Sequence, residues 1–261
     1  VRALGAEVAL CGVVGDDPAG ERLRGLLAAS GIGIAGVLTA PGRCTTVKTR
    51  VVAHKQQLLR IDREESGALP PALARELEAA VCSRLEASDA LILSDYGKGV
   101  IGPVGYAVLQ AAAAAAGCLV SVDPKVEHFS LYRNADLITP NNREAGEGIG
   151  MPIRDGASLR AAGAAILEKL APRALLITRS ELGMALFEPG REVLEIPARA
   201  RDVYDVTGAG DMVIAAATLA LAGGASFVEA ARLANTAAGI EVAHFGCHPV
   251  GREELADALA E

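Results

Sequence analysis

Tryptophan is absent from this chain, and four Tyr and four Phe leave aromatics at only 3% of 261 residues. The 51% of hydrophobic residues is therefore carried by aliphatic side chains and alanine. A sizeable core is possible, but it has to close by tight aliphatic packing. Positive charge is also scarce: 25 Lys and Arg against 32 Asp and Glu give a net charge of −7. That balance argues against binding to nucleic acid or to an anionic membrane surface, while leaving room for a local basic pocket. The five cysteines, Cys11, Cys44, Cys82, Cys118 and Cys247, are odd in number and contain no Cys-x-x-Cys pair. Reduced thiols in a cytoplasmic protein are expected. No apolar run has the ~20 residues of a membrane-spanning helix; Met212–Leu221 is too short and reads as buried. A secretory signal is not expected at the start of the chain.

What is present is a repeated exchange of apolar strands and helices. Strands are expected at Val8–Val14, Asp89–Ser94, Leu119–Asp123, Asp136–Thr139 and Ala174–Thr178. Helices are expected at Pro18–Ser30, Pro103–Ala116 and Ser158–Leu170, with Gly208–Leu221 and Ser226–Ala243 closing the chain. Uninterrupted apolar strands alternating with helices predict a mostly parallel sheet covered on both faces. Thr45–Asp62 departs from this pattern. It alternates polar and apolar residues about a turn at Lys55–Gln56, which predicts an antiparallel hairpin with one wet face. Val1–Ala6 reads as the last turn of a helix with a glycine stop, so the opening of the domain is expected to be missing.

The most informative string is Tyr204-Asp205-Val206-Thr207-Gly208-Ala209-Gly210-Asp211. Small residues open a helix, so its first amides are unobstructed and suited to an anion. Asp211 stands in the first turn beside that anion. Such a carboxylate makes sense as a base taking the proton from a hydroxyl that attacks a phosphoryl group. Thr139-Pro140-Asn141-Asn142-Arg143-Glu144 follows a strand and starts a helix. Asn141 and Glu144 are three apart, which fits either a capping box or an oxygen shell that holds Mg²⁺ through water. Ser94-Asp95-Tyr96-Gly97-Lys98-Gly99 and Asp123-Pro124-Lys125 lie at the carboxyl ends of buried strands, where open α/β sheets bind ligands. Lys98 and Lys125 there suit a substrate that already carries a phosphate.

Two tempting motifs are set aside. Gly31-Ile-Gly33-Ile-Ala-Gly36 has the letters of a dinucleotide fingerprint, but it follows a helix where that fingerprint must follow a strand. His244, Cys247 and His248 place three soft ligands in five residues without a second cluster, a pattern that rarely makes a metal site.

The Gly-Ala-Gly-Asp string, the Asn-x-x-Glu motif and the Thr178–Gly183 loop resemble the ribokinase-like carbohydrate kinases over essentially the whole chain. The finer pattern is similar to the D-glycero-β-D-manno-heptose 7-phosphate kinases. Thr45–Arg50, Gln56–Asp62, Leu93–Gly99, Asp123–Lys125 and Thr178-Arg179-Ser180-Glu181 with Gly183-Met184 carry it. The resemblance implies an α/β kinase domain over 1–261, with a mostly parallel central sheet, helices on both faces and a small antiparallel lid at about 45–62. It implies transfer of the ATP γ-phosphoryl group to the anomeric hydroxyl of the heptose phosphate. Asp211 would be the base and Gly208, Ala209 and Gly210 the anion hole. Thr178, Ser180, Gly183 and Asn235 would border ATP, and Asn141 and Glu144 would organise Mg²⁺ through water. Asp95, Lys98, Lys125 and Arg60 would face the sugar phosphate.

Some relatives hold a monovalent cation near the positions of Asp205 and Thr207, and a homodimer through the lid is implied for the full-length protein. Relatives also carry an opening strand with a sugar-binding Asp and a Gly-Gly-Ala-Ala-Asn segment. Without these, and with the lid and first strand incomplete, this chain is expected to bind nucleotide and turn over poorly. A nucleotidyltransferase domain is not expected in it. A kinase for another sugar and a non-catalytic nucleotide-binding fragment are the two rival readings.

Overall fold

The computed structural model describes residues 1–53, 56–199 and 203–260. Its centre is a six-stranded sheet. Strands β5 (Ala90–Ser94), β6 (Leu119–Asp123), β7 (Leu137–Ile138) and β8 (Ala174–Thr178) run parallel. Strands β9 (Met184–Phe187) and β10 (Leu194–Ile196) are added antiparallel beyond β8. The order is β10-β9-β8-β7-β6-β5.

Residues alternate between the two faces, and both faces are buried, which is why these strands show no polar alternation. Leu175 and Ile177 of β8 join a core with helices α2 (Pro71–Leu85), α3 (Pro103–Ala116) and α5 (Gly156–Leu170). Ala174 and Leu176 join the opposite core, against α6 (Ala209–Ala222), α7 (Phe227–Val242) and α8 (Arg252–Ala260). In that second core Ala216, Ala217, Ala230, Ala234 and Ala237 are essentially inaccessible. Their small side chains let α6 and α7 approach closely, and so the core closes without large rings.

Strands β1 (Ala9–Gly15) and β2 (Gly33–Ala40) form a separate parallel pair linked by α1 (Pro18–Ala29). Cys11 of β1 packs toward the α2–α3 core. A cavity of about 110 Å³ lies where β1, β5, α2 and α3 come together. The hairpin expected at 45–62 is present as β3 (Val47–Ala53) and β4 (Gln56–Arg63), an antiparallel pair in its own sheet. Its expected turn falls partly on Lys55, outside the described residues.

The expected strand–helix alternation needs three amendments. Helix α2 is an additional element, although its buried Leu77, Val81 and Leu85 recur every four residues. The antiparallel pair β9 and β10 extends the sheet edge beyond β8, and α8 follows the two helices expected to close the chain. Short apolar runs such as Met184–Phe187 carry no periodicity that separates strand from helix. The expected Val1–Ala6 helical turn is a 3-10 turn at Arg2–Leu4, stopped by Gly5 at φ 95°.

One close approach is testable. Gly163 of α5 faces Phe187 of β9, and a Cβ at 163 would collide with that ring. Gly163→Ala gains ~0.5–1 kcal/mol of helix propensity but overpacks the core at ~1–3 kcal/mol. Thermal unfolding should show a net loss of a few degrees; an unchanged or higher Tm would show that α5 can shift away from the sheet.

Candidate active site

The carboxyl ends of β5, β6, β7 and β8 meet the amino end of α6. Gly208 is the N-cap of α6 at φ 93°, a left-handed conformation that favours glycine. A Cβ at 208 would also displace the end of the Glu241 side chain, whose Oε1 lies against it. Position 210 is open, with nothing near a built Cβ. The Ala209 amide donates to Val206 O at 3.3 Å, while the open space at Gly210 leaves room beside the first turn, where the helix dipole favours an anion.

Asp211 stands at the third position of α6, and its Oδ1 accepts a 2.6 Å hydrogen bond from the Tyr96 hydroxyl. Tyr96 belongs to the loop after β5. The residue before it, Asp95, is 7% exposed. Its Oδ1 accepts from the Gly97 amide at 2.8 Å; its Oδ2 accepts from the Tyr132 hydroxyl at 2.5 Å and lies 2.7 Å from His128 Nδ1. Asp95 was expected to face the sugar; in this structure its buried carboxylate also holds this loop, through Gly97, His128 and Tyr132.

On the other side of Ala209 and Gly210 is a cavity of about 410 Å³. Thr178, Ser180, Gly183 and Asn235 all line it, with Val206 and Val213 supplying apolar wall. Gly183, at φ 80°, and Ser180, at φ 52°, make the tight turn between β8 and β9. Asn235 is 5% exposed, and its Nδ2 donates to Pro197 O at 2.8 Å. It shapes the cavity wall while tying down the segment after β10.

Asn141 and Glu144 open helix α4 (Asn142–Ile149) as a capping box. Asn141 Oδ1 accepts from the Glu144 amide at 2.9 Å, and Glu144 Oε2 accepts from the Asn141 amide at 3.0 Å. The structural explanation of this pair is thus realised. It engages Oε2 of the Glu144 carboxylate, one of its two oxygens. Nearby Asp123 has its carboxyl pushed up to about 7, by burial first and then by the charges of Glu144 and Asp211; Lys125 opposes the shift. A concentration of carboxylates with oxygen-only donors fits a hard divalent cation.

The remaining substrate-side residues are tied together. Lys98 Nζ is 2.7 Å from Glu64, Glu64 is 2.9 Å from Lys48, and Lys48 is 3.1 Å from Asp62, which also pairs with Arg60 at 2.9 Å. This chain of five charges runs from the hairpin to the β5 loop. Arg43 reinforces it, donating to the carbonyls of Glu65, Gly67 and Lys98. At the hairpin base, the Asp17 carboxyl is lowered to about 2 by hydrogen bonds from Thr45 and Gly20. Arg60 and Lys98 were expected to meet the sugar phosphate directly; in this state both are paired with carboxylates. Lys125 packs along Gly97.

Two features escaped the sequence reading. Tyr96 was within a quoted motif but received no role. Glu241 is 4% exposed, one of its oxygens has no partner, and its carboxyl is pushed up to about 7 by burial and by Asp211. A carboxylate between Ile240 and Val242 on an otherwise apolar helix face was the available signal. His244, His248 and Glu254 place ligand atoms within 4.8 Å of one another. The two imidazoles, however, stack at 3.8 Å with an interplanar angle of 14°. In-plane lone pairs on near-parallel rings do not converge on one ion.

Glu241 should make stability depend on pH. Its folded value of about 7 lies above the 4.5 of an ordinary glutamate. The folded state therefore holds a proton that the unfolded chain has lost, and stability falls as pH rises from about 4.5 through 7. Glu241→Gln removes this penalty. Its Tm should exceed the parent's by ~3–8 °C at pH 8, from roughly 1–3 kcal/mol, with the gap closing toward pH 5. A pH-independent difference would assign the effect to packing.

The profile of the pfkB family carbohydrate kinases matches residues 1–253. The chain is 44% identical over 259 residues to the bifunctional protein HldE of Desulfatibacillum aliphaticivorans, covering 99% of this chain and 53% of that protein. It is 42% identical to the HldE of Geobacter sulfurreducens, with 98% and 52% coverage. It thus spans about half the length of these curated relatives. Escherichia coli phosphofructokinase-2 solved with potassium superposes with a TM-score of 0.83 at 22% identity, covering 99% of this chain and 83% of that one. Arabidopsis thaliana ribokinase with ribose and ATP gives 0.78 at 21%, covering 98% and 83%. No helix among the described residues is long and apolar enough to cross a membrane. With a ribokinase-like fold, a family profile matching nearly its whole length and an open helix terminus beside a carboxylate, the chain belongs to the pfkB family of carbohydrate kinases.

Proposed function

We propose that this chain is a kinase domain that transfers the γ-phosphoryl group of ATP to the anomeric hydroxyl of D-glycero-β-D-manno-heptose 7-phosphate, giving the 1,7-bisphosphate. The product would feed ADP-heptose and lipopolysaccharide core synthesis. The observation that carries the phosphotransfer reading is Asp211 in the first turn of α6, beside unobstructed amides and next to a 410 Å³ cavity. The heptose assignment rests on the motif pattern, and the similarity to proteins named HldE supports it.

ATP would enter the cavity lined by Thr178, Ser180, Gly183 and Asn235, with its terminal phosphate at the amides of Gly208, Ala209 and Gly210. Preorganised amides at the point where charge develops lower the barrier without reorganisation. Asp211 accepts the proton of the acceptor hydroxyl. Asn141 and Glu144 would hold Mg²⁺ through water, and the ion would neutralise charge on the transferring phosphates. Lys125 would meet the substrate phosphate. Lys98 joins it when a phosphate competes with Glu64 for its ammonium group.

The hairpin supports a homodimer. Val47, Val51, Leu59 and Ile61 lie on one face of β3–β4 and are exposed, while Lys48, Arg50, Arg60 and Asp62 occupy the other. A two-stranded sheet with an uncovered apolar face is marginal by itself, and a second copy would cover it.

Asp211→Asn should reduce kcat by ~10²–10⁴-fold, with calorimetric Mg·ATP affinity within a few-fold of the parent. Near-normal turnover would remove Asp211 as base. In a sugar panel the phosphorylated heptose should be preferred. Equal rates on ribose or fructose would favour another sugar kinase, and Mg·ATP binding without turnover on any sugar would favour a nucleotide-binding fragment. Ile61→Lys should shift light-scattering mass toward the monomer; a parent already monomeric at micromolar concentration would exclude the lid dimer.

A further inference from the structure

Four helices of this chain present a comparable N-terminal problem and solve it in two ways. In α4, α5 and α7 the third residue, Glu144, Ser158 or Glu229, turns its side chain back to the N-cap backbone amide and closes a capping box. Asp211 is the third residue of α6 and has the same option, since a carboxylate there is drawn to the helix's own unpaired amides. It does not take it. Gly208 has no side-chain cap, and Asp211 Oδ1 points across the site to the Tyr96 hydroxyl at 2.6 Å, 115 residues away in sequence.

The hydroxyl is held there by construction. Asp95 is buried with three partners, from Gly97, His128 and Tyr132, and Gly97 adopts φ 66°. The Asp95 amide also donates to Asp123 O at 3.0 Å, which fixes the loop to the end of β6. The loop is thus rigid at the residues on either side of Tyr96, while the tyrosine itself is 54% exposed. A half-exposed ring contributes little to the core, so its place is explained by what its hydroxyl does. The Tyr96 phenol is held well above its usual range, by burial and then by the bond and charge of Asp211, and so it remains a donor at all working pH values.

We propose that Tyr96 is a positioning residue that pulls Asp211 away from its own helix terminus, keeping the α6 amides open for phosphate and leaving Asp211 Oδ2 to receive the proton of the acceptor hydroxyl. This rests on the phosphotransfer reading above for the role of Asp211 as base. The hold on Asp211 and the opening of the amides are separately measurable. Without the phenol, the Asp211 carboxylate falls back onto the amides. It then competes with the phosphate of the nucleotide and is lost to the acceptor.

Tyr96→Phe keeps the ring and removes the donor. A hydrogen bond to a charged group corresponds to ~10-fold or more, so kcat should fall by about that factor and the Kd for Mg·ATP should rise by roughly 3–10-fold. The decisive arm is the same substitution in an Asp211→Ala background, where no carboxylate is left to fall back. There Tyr96→Phe should leave the Mg·ATP Kd unchanged, and thermal unfolding should be unaffected in both backgrounds. Equal weakening of Mg·ATP binding in both backgrounds would mean that Tyr96 acts on the nucleotide or the loop itself and would overturn the proposal. So would Tyr96→Phe with unchanged kcat and Kd. If Tyr96→Phe lowers the Tm, Tyr96→Leu measured in the same two backgrounds separates loop damage, which persists without Asp211, from the effect proposed. Should Asp211→Asn retain full turnover, the base assignment fails, and the calorimetric arm still decides whether Tyr96 holds Asp211 off the helix.

Discussion

The arrangement depends on a helix that has to end without being capped. A helix terminus normally recruits a side chain or water for its free amides, and a terminus placed against a protein interior must do so. At α6 the terminus is kept free of any side-chain cap by three independent restrictions, although the Ala209 amide donates to Val206 O. The N-cap is glycine at a left-handed φ, the second residue is also glycine, and the third has its side chain held elsewhere. The parallel sheet then supplies the setting, because its strand ends converge where α6 begins. The turn after β8, the cap of α4 and the loop after β5 are all positioned from that point.

Charge is the cost of this arrangement. Asp95, Asp123, Glu144 and Asp211 share one region, with Glu241 behind the anion hole. Asp123 and Glu241 are both displaced to about 7 as a result. Burying like charges near each other is unfavourable unless protons, cations or bound ligands offset them. Such tension is common where a site is shaped for a ligand that brings its own charge, and it trades stability for function. The alanine-packed contact between α6 and α7 gives the opposite contribution: closely apposed, small and apolar.

The fold was legible where the sequence pattern had one physical cause. The ranges of α3, β6 and β8 follow from Pro at a helix start, glycine after its end and short apolar runs. Gly-Ala-Gly-Asp was legible because helix-terminal amides need small neighbours. Legibility failed where one residue type serves two ends. Asp95 resembled a ligand-facing carboxylate, but Tyr132 and His128, more than thirty residues later, take up its charge. Lys98 and Arg60 read as cations for a substrate phosphate; Glu64 reaches Lys98 from the end of the hairpin, which is tertiary information, while Asp62 pairs with Arg60 two residues along the same strand. Asn141 and Glu144 satisfied two readings at once, and a capping box does not preclude further ligation through the other oxygen. The antiparallel edge at β9 and β10 could not be separated from other short apolar segments by periodicity.

The five-charge chain from Arg60 to Lys98 has a consequence for how tightly the hairpin sits. The ion pair that joins the end of the hairpin to the β5 loop, Glu64 with Lys98, is partly solvent-accessible, and β3 is exposed along most of its length. Interactions of this kind weaken as dissolved ions screen them over ~8–10 Å. The cores on either side of the main sheet are indifferent to that screening. Dissolved salt therefore loosens the ionic tie between the hairpin and the β5 loop while leaving the packing of the body untouched.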